Sequence, residues 1–375
     1  MSLTAHNDFR TSGLQDFRTS GLQGFRASGL QGFRASGLQG DGRDIVLDSL
    51  RGFGYIVIVF AHVMLWVHRS GMNMGRGLVI HDYIYSFHMP LFFMIAGYSH
   101  GMKDRAVEGQ KYSGWFRKFI LDLYVPCLFF SLAYWSINYL VFSSLNPINF
   151  KPATLSELYV IPIRGFNQYW FLCTLFFVKA IHLAFEFRAS NELLHASFWL
   201  LLFVASGLFG VNVPSSVGIY GLWFHLGFVL KRHEVITSVV HPSFTLGAVS
   251  FMAGAAFHFI PFFSGGSSFF TRTSASLLSA SGLFIMFYSL RVAVKFLALC
   301  GTNCMVIYCL HNYVTSVFRL ICKLTGLPSL LPHVVLFLVC FVLAVIVPLA
   351  VVWLYRNVKC LRWVEYVFYP GKLLR

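Results

Sequence analysis

Three side chains stand out by their setting: Arg51 and His62 in "DSLRGFGYIVIVFAHVMLW", and His88 in "SFHMPLFFMIAGYSHG". Both runs are apolar enough to enter a bilayer, and an ionisable group at that depth is costly enough to mark a functional site. A neutral imidazole takes up a proton near pH 7, and a guanidinium, always charged, grips an anion through two parallel hydrogen bonds. Arg51 and His62 are eleven residues apart, about three helical turns, which puts them on one helix face roughly 16 Å apart along the axis. Asp48, one turn before Arg51, can pair with it. His88 sits about five residues from the outer end of its helix, much as His62 does in a helix running the other way. The two imidazoles therefore share one depth, and an antiparallel pair of helices would face them into a common cavity. The plainer alternatives are a histidine strut between helices and a structural Asp48–Arg51 ion pair.

The elements that carry these groups follow from composition. With 57% hydrophobic residues, 11% charged residues and a mean hydropathy of +0.67, the chain is an all-α integral membrane protein. No series of short alternating segments supports a barrel. About ten transmembrane helices are expected, over 46–67, 83–101, 119–142, 169–187, 196–211, 216–230, 243–263, 274–292, 301–321 and 333–354. Lys and Arg cluster in the amino-terminal tail (Arg10 to Arg43), after the second run (Lys103, Arg105, Lys111, Arg117, Lys118) and in the last tail (Arg356, Lys359, Arg362, Lys372, Arg375). The opposite links hold only Arg69, Arg76, Lys151, Arg164, Arg272, Arg319 and Lys323. This asymmetry predicts that both termini are cytoplasmic, and it reads the net charge of +15 as topology rather than nucleic-acid binding.

Three regions are predicted: a tail over 1–42, the membrane domain over 43–355, and a short cytoplasmic tail over 356–375. The first repeats an eight-residue unit four times, "NDFRTSGL QDFRTSGL QGFRASGL QGFRASGL", and is too rich in Gly, Ser, Gln and Arg to bury a core, so disorder is expected. The first apolar run starts too late and is too long for a cleavable signal peptide. The eight cysteines have no metal-ligand spacing and imply no disulfide framework, so neither a metal nor a tightly bound cofactor is expected. Further polar candidates are His311 and Asn312 in "CMVIYCLHNYV". Trp170 reads as an interfacial anchor at the outer end of its span, and its neighbours Asn167, Gln168 and Tyr169 would lie at the mouth of an outward cavity. For His225 in "YGLWFHLGF" a lining or packing role is the stronger reading.

The runs "LDSLRGFGYIVIVFAHV", "SFHMPLFFMIAGYSHG", "NQYWFLCTLFFV" and "NCMVIYCLHNYV", in that order over about 44–355, resemble the membrane acyltransferase-3 family. The likeness is greatest to the branch that acetylates sugars of bacterial surface polysaccharides, of the fucose O-acetylase-like type. The resemblance implies a ten-helix bundle that moves an acyl group, usually acetyl from cytoplasmic acetyl-CoA, to a glycan hydroxyl at the outer face of the bacterial inner membrane. The family's first-span Arg and His fall on Arg51 and His62, and its second-span His on His88. A basic pair spaced three apart in the third span is not matched: "WFRKFILDLYVP" offers Arg117 and Lys118, then Asp122.

Acyl transfer from a thioester to a hydroxyl needs a proton acceptor and a group that stabilises the oxyanion. His62 is expected to be the base. Arg51, oriented by Asp48, would hold the donor's phosphates, with Arg117 and Lys118 as further donor contacts. His88 polarises the carbonyl, relays a proton or binds the acceptor; the sequence does not choose. His311, Asn312 and Trp170 are expected to contact the acceptor. The expected partners are acyl-CoA, a carbohydrate and the bilayer, with no nucleic acid. A transporter or flippase of a lipid-linked sugar is the alternative, although the halves 45–200 and 200–355 share no duplicated hydropathy.

Overall fold

The computed structural model describes residues 44–69, 77–102, 112–145, 152–188, 191–209, 216–235, 243–264 and 269–374. The octapeptide tail and Lys103, Arg105, Lys111 and Lys151 lie outside them. Val46–Arg375 is one compact unit, and of the separate unit Met1–Ile45 only Asp44 and Ile45 are described.

Every described element is helical, with no strand among the described residues. The main helices are α1 (Ile45–Arg69), α2 (Gly77–Gly101), α3 (Tyr112–Leu145), α4 (Trp170–Arg188), α5 (Glu192–Phe209), α6 (Val217–Arg232), α7 (Phe244–Ser264), α8 (Phe269–Ser289), α9 (Lys295–Thr302), α10 (Cys304–Thr325) and α11 (His333–Asn357). The runs expected as spans fall largely on described helices, that over 301–321 with a break at Asn303. Five helical segments among the described residues are long and apolar enough to cross a membrane: Ile45–Val67, Tyr112–Leu145, Asn167–Phe187, Cys304–Thr325 and His333–Asn357. The apolar stretches Glu192–Leu208 and Phe244–Ile260 are shorter. The polar load of α2 and α8 has a physical reason, because His81, Asp82, His88, Arg272 and Ser276 turn inward onto cavities.

One apolar cluster joins α1, α10 and α11 through Val59, Val63, Trp66, Ile307, Phe318, Phe337 and Cys340. The outer faces are apolar as well. Leu338, Val342, Ile346 and Trp353 of α11, Leu201 of α5 and Met252 of α7 are each more than half or nearly half exposed, a covering that suits hydrocarbon and not water. All eight cysteines are free.

Helices α2 and α6 meet at glycines. A Cβ on Gly97 would lie 1.8 Å from the carbonyl oxygen of Phe224, and one on Gly227 would lie 2.0 Å from that of Met94. Only hydrogen at both positions allows this backbone approach, the small-residue packing common between apolar helices.

Two prolines sit inside helices next to the site. Pro90 cannot donate to the carbonyl of Ser86. The hydroxyl of Ser276 on α8 donates to that oxygen instead, at 2.6 Å, so α8 completes the hydrogen bonding of α2 two residues from His88. In α3 the ladder widens before Pro126, where the Val125 N–H bonds back to Ile120, five residues earlier.

Candidate functional site

A cavity of about 470 Å³ opens where α1, α2, α4 and α10 converge. Its wall includes His62, Tyr85, His88, Gln168, Trp170, Asn312 and Arg319. The two histidines assigned one depth by residue counting thus line one space. Trp170 and Asn312 line it too, while Arg51 does not.

His311 lies behind His62 and not on the cavity wall; it is 1% exposed. The two rings stack 5.2 Å apart at 15°, and His62 Nδ1 is 3.0 Å from His311 Nε2. The proton positions follow from the backbone. His311 Nδ1 is 3.0 Å from the Ile307 carbonyl oxygen and 2.9 Å from that of Tyr308, so it must carry the hydrogen. The Nε2 of neutral His311 then has a lone pair, and His62 Nδ1–H donates to it. His62 Nε2 is left with the basic lone pair of a neutral imidazole. This is the orienting arrangement that a general base needs.

His88 is fixed in the same way, its Nδ1–H donating to the Ile84 carbonyl at 2.8 Å. Tyr85 stands between the histidines, with ring centres 4.8 Å from His88, 5.9 Å from His62 and 4.1 Å from His81.

Gln168 also lines this space, its side chain held by a neighbour. The Asn312 side-chain N–H₂ donates to Gln168 Oε1, and the Tyr308 hydroxyl donates to the Gln168 backbone carbonyl. The Gln168 Nε2 group is buried and has no hydrogen-bond partner among the described residues. Leaving a buried donor unmade is costly, and an oxyanion that reached this nitrogen would satisfy it.

The other end of α1 holds the cation. Arg51 donates to Asp48 at 2.6 Å and to the Ser99 hydroxyl at 2.8 Å. The pair is only partly buried, with side-chain exposures of 22% and 13%, so the guanidinium keeps a face for a ligand. Arg117 is exposed on α3, and Lys118 caps the Trp115 ring at 5.4 Å, a contact within its own helix.

Sequence reasoning missed Tyr85, Thr315, Ser316 and Arg319 in this wall. The last three were legible, because Asn312, Thr315, Ser316 and Arg319 follow helical spacing and form one polar stripe on an otherwise apolar α10.

A second cavity, of about 730 Å³, adjoins the first and shares Tyr85 and Tyr220 with it. His81, Asp82, His258, Arg272 and Ser276 line it.

No curated protein and no solved structure matches the chain significantly. Residues 44–353 match a family model described as an acyltransferase domain, that of acyltransferase-3. The match spans all of α1 to α10 and most of α11, including both ends of the site, and the chain belongs to the acyltransferase-3 family of membrane acyltransferases.

Proposed function

We propose that the protein is an O-acyltransferase of about ten spans that transfers an acyl group, acetyl in the first instance, from acyl-CoA to a hydroxyl of a surface polysaccharide or lipid-linked sugar. The observation that carries this reading is the His62–His311 pair, which turns an unprotonated His62 Nε2 onto a cavity large enough for a sugar ring.

In the reaction, the acceptor oxygen attacks the thioester carbonyl as His62 Nε2 removes its proton. The carbonyl oxygen becomes an oxyanion, and Gln168 Nε2–H is the donor that stabilises it. Collapse breaks the C–S bond, and the proton passes from His62 to the leaving sulfur. An ester and free CoA result. His311 acts through His62 as a positioning residue, because its acceptance of the Nδ1–H holds the ring and favours the imidazolium that forms. His88, fixed by Ile84, serves the acceptor side.

Arg51, braced by Asp48 and Ser99, grips the donor phosphates at the opposite end of α1. The pantetheine arm then runs along α1 towards His62. The Lys and Arg distribution supports a cytoplasmic Arg51 end with both termini, and a His62 end at the outer leaflet of a bacterial inner membrane. The adjoining larger cavity, with its aromatic and polar walls, is the space for further acceptor sugars.

Purified protein given acetyl-labelled acetyl-CoA and a glycan should move label to an alkali-labile ester on the glycan, with stoichiometric release of CoA. Sugar crossing the membrane without acquiring label would establish the transporter reading instead.

A further inference from the structure

A second group of histidines lies apart from both cavities, in a sealed part of the bundle. His182 on α4, His195 on α5 and His225 on α6 are 0%, 5% and 4% exposed. Their ring centres are 4.2 Å apart for His182 and His195, 4.5 Å for His195 and His225, and 5.6 Å for His182 and His225. One ring nitrogen from each lies within 4.8 Å of those of the others. Beside them, Glu186, one turn after His182, lies 3.1 Å from His100 Nε2 of α2. Apolar rings close the site: Phe185 stacks on His195 at 4.7 Å, and Phe228 packs on His182 at 4.5 Å.

The Arg232–Glu192 ion pair, at 2.8 Å, lies within electrostatic reach of His195 and His225, and the three buried imidazoles are poorly matched to one another. Each neutral ring has one N–H and one lone pair, and charging two of them side by side would put like charges in low dielectric. His225 Nδ1 and His182 Nε2 approach to 3.4 Å, which pairs one donor with one acceptor. His195 Nε2 has no hydrogen-bond partner among the described residues, although it is buried against the other two rings. Such an atom is costly to bury unless something binds it.

A cation removes the mismatch, since lone pairs that repel one another all point usefully at a shared positive centre. A tetrahedral zinc ion with bonds of about 2.0–2.1 Å needs ligand nitrogens roughly 3.3 Å apart. His225 and His182 are already at that separation, and small ring rotations bring in His195. Imidazole nitrogens suit zinc and its neighbours, and disfavour magnesium and calcium, which prefer oxygen. The Glu186 carboxylate, held by His100, supplies a compensating negative charge.

We propose that His182, His195 and His225 supply three ligands of a site for one divalent transition-metal ion of the zinc class, with a water molecule as the fourth, which staples α4, α5 and α6 together. The site shares no residue with the His62 cavity or its neighbour, so the ion is structural and takes no part in the acyl transfer. The inference stands on this packing alone and is independent of the acyl-transfer reading.

The test uses full-length protein in detergent, purified through a tag that contains no histidine, equilibrated with zinc and freed of excess metal. About one zinc per chain is expected by elemental analysis, and Co²⁺ in its place should give the intense visible bands of a tetrahedral site. H195A/H225A should lose both signals, whereas H62A/H311A should keep them. Chelation should lower the unfolding temperature of the wild type and leave that of H195A/H225A unchanged. If that variant does not fold, His195→Gln, which retains a polar group of similar reach, takes its place beside the wild-type cobalt spectrum. Zinc well below one per chain, a cobalt spectrum without tetrahedral bands, or full stoichiometry in H195A/H225A would each overturn the proposal.

Discussion

The two histidine clusters are built from the same side chain and behave as opposites. In the His62 cluster, backbone carbonyls dictate the proton positions in sequence, from Ile307 and Tyr308 to His311 and from His311 to His62, and the chain ends in one basic nitrogen at a cavity. In the His182 cluster the rings converge inward on one another instead. A histidine becomes a base when its second nitrogen is oriented and its first is open. It becomes a ligand when several face one enclosed point.

The sharpest way to break this contrast is to truncate the open ring. His62→Ala should lower acyl transfer by about 10²–10⁴-fold, the usual contribution of a positioned base, with membrane insertion unchanged. Transfer rates at saturating donor, together with labelling of the inserted protein, check this. Near-normal turnover would return the stacked pair to packing.

Gln168→Ala removes one candidate oxyanion donor and should reduce kcat by about 10²-fold, with the donor KM little altered. An effect confined to KM would make Gln168 a ground-state contact. His311→Ala leaves the His62 ring without its acceptor and should cost a further order of magnitude less, about tenfold. His311→Gln, whose amide oxygen can accept the same N–H, should recover part of that loss. No recovery would mean that the imidazole of His311 itself is required.

At the far end of α1 the expected effect falls on binding. Arg51→Lys keeps the charge but loses the planar fork, so the KM for acetyl-CoA should rise by about tenfold with kcat nearly constant. Equal losses in acceptor and donor KM would argue for the structural ion pair with Asp48. The smallest effect belongs to the helix that braces His88. Ser276→Ala strips the hydroxyl that serves Ser86, and should lower stability by about 0.5–1.5 kcal/mol, seen as earlier unfolding in detergent.

The helices were legible because apolar runs of span length leave little else for the backbone to do, and the expected runs fall largely on described helices. Which of them cross the membrane is less legible. Helices such as α2, with His81, Asp82, His88 and Ser86 on cavity walls, trade hydropathy for polar lining. Residue counting along α1 and α2 found the shared position of His62 and His88, since both are regular helices and rise per residue is fixed. It could not find the contact between His62 and His311, which are 249 residues apart in sequence. The cluster of His182, His195 and His225 was invisible for the same reason. Each is one histidine in an apolar helix, the spacings match no ligand motif, and only the packing of α4, α5 and α6 brings the rings together. The α10 stripe of Thr315, Ser316 and Arg319 was within reach of helical periodicity.

The account's central claim is directional: donor held at the Arg51 end, acceptor deprotonated at the His62 end. Proteoliposomes of known protein orientation, with labelled acetyl-CoA on one side and glycan on the other, test it most directly. The account predicts label on the glycan only when acetyl-CoA meets the Arg51 face and the glycan meets the His62 face, and none in either arrangement for His62→Ala. Equal labelling with both substrates on the Arg51 face, or label transfer that persists in His62→Ala, would contradict it.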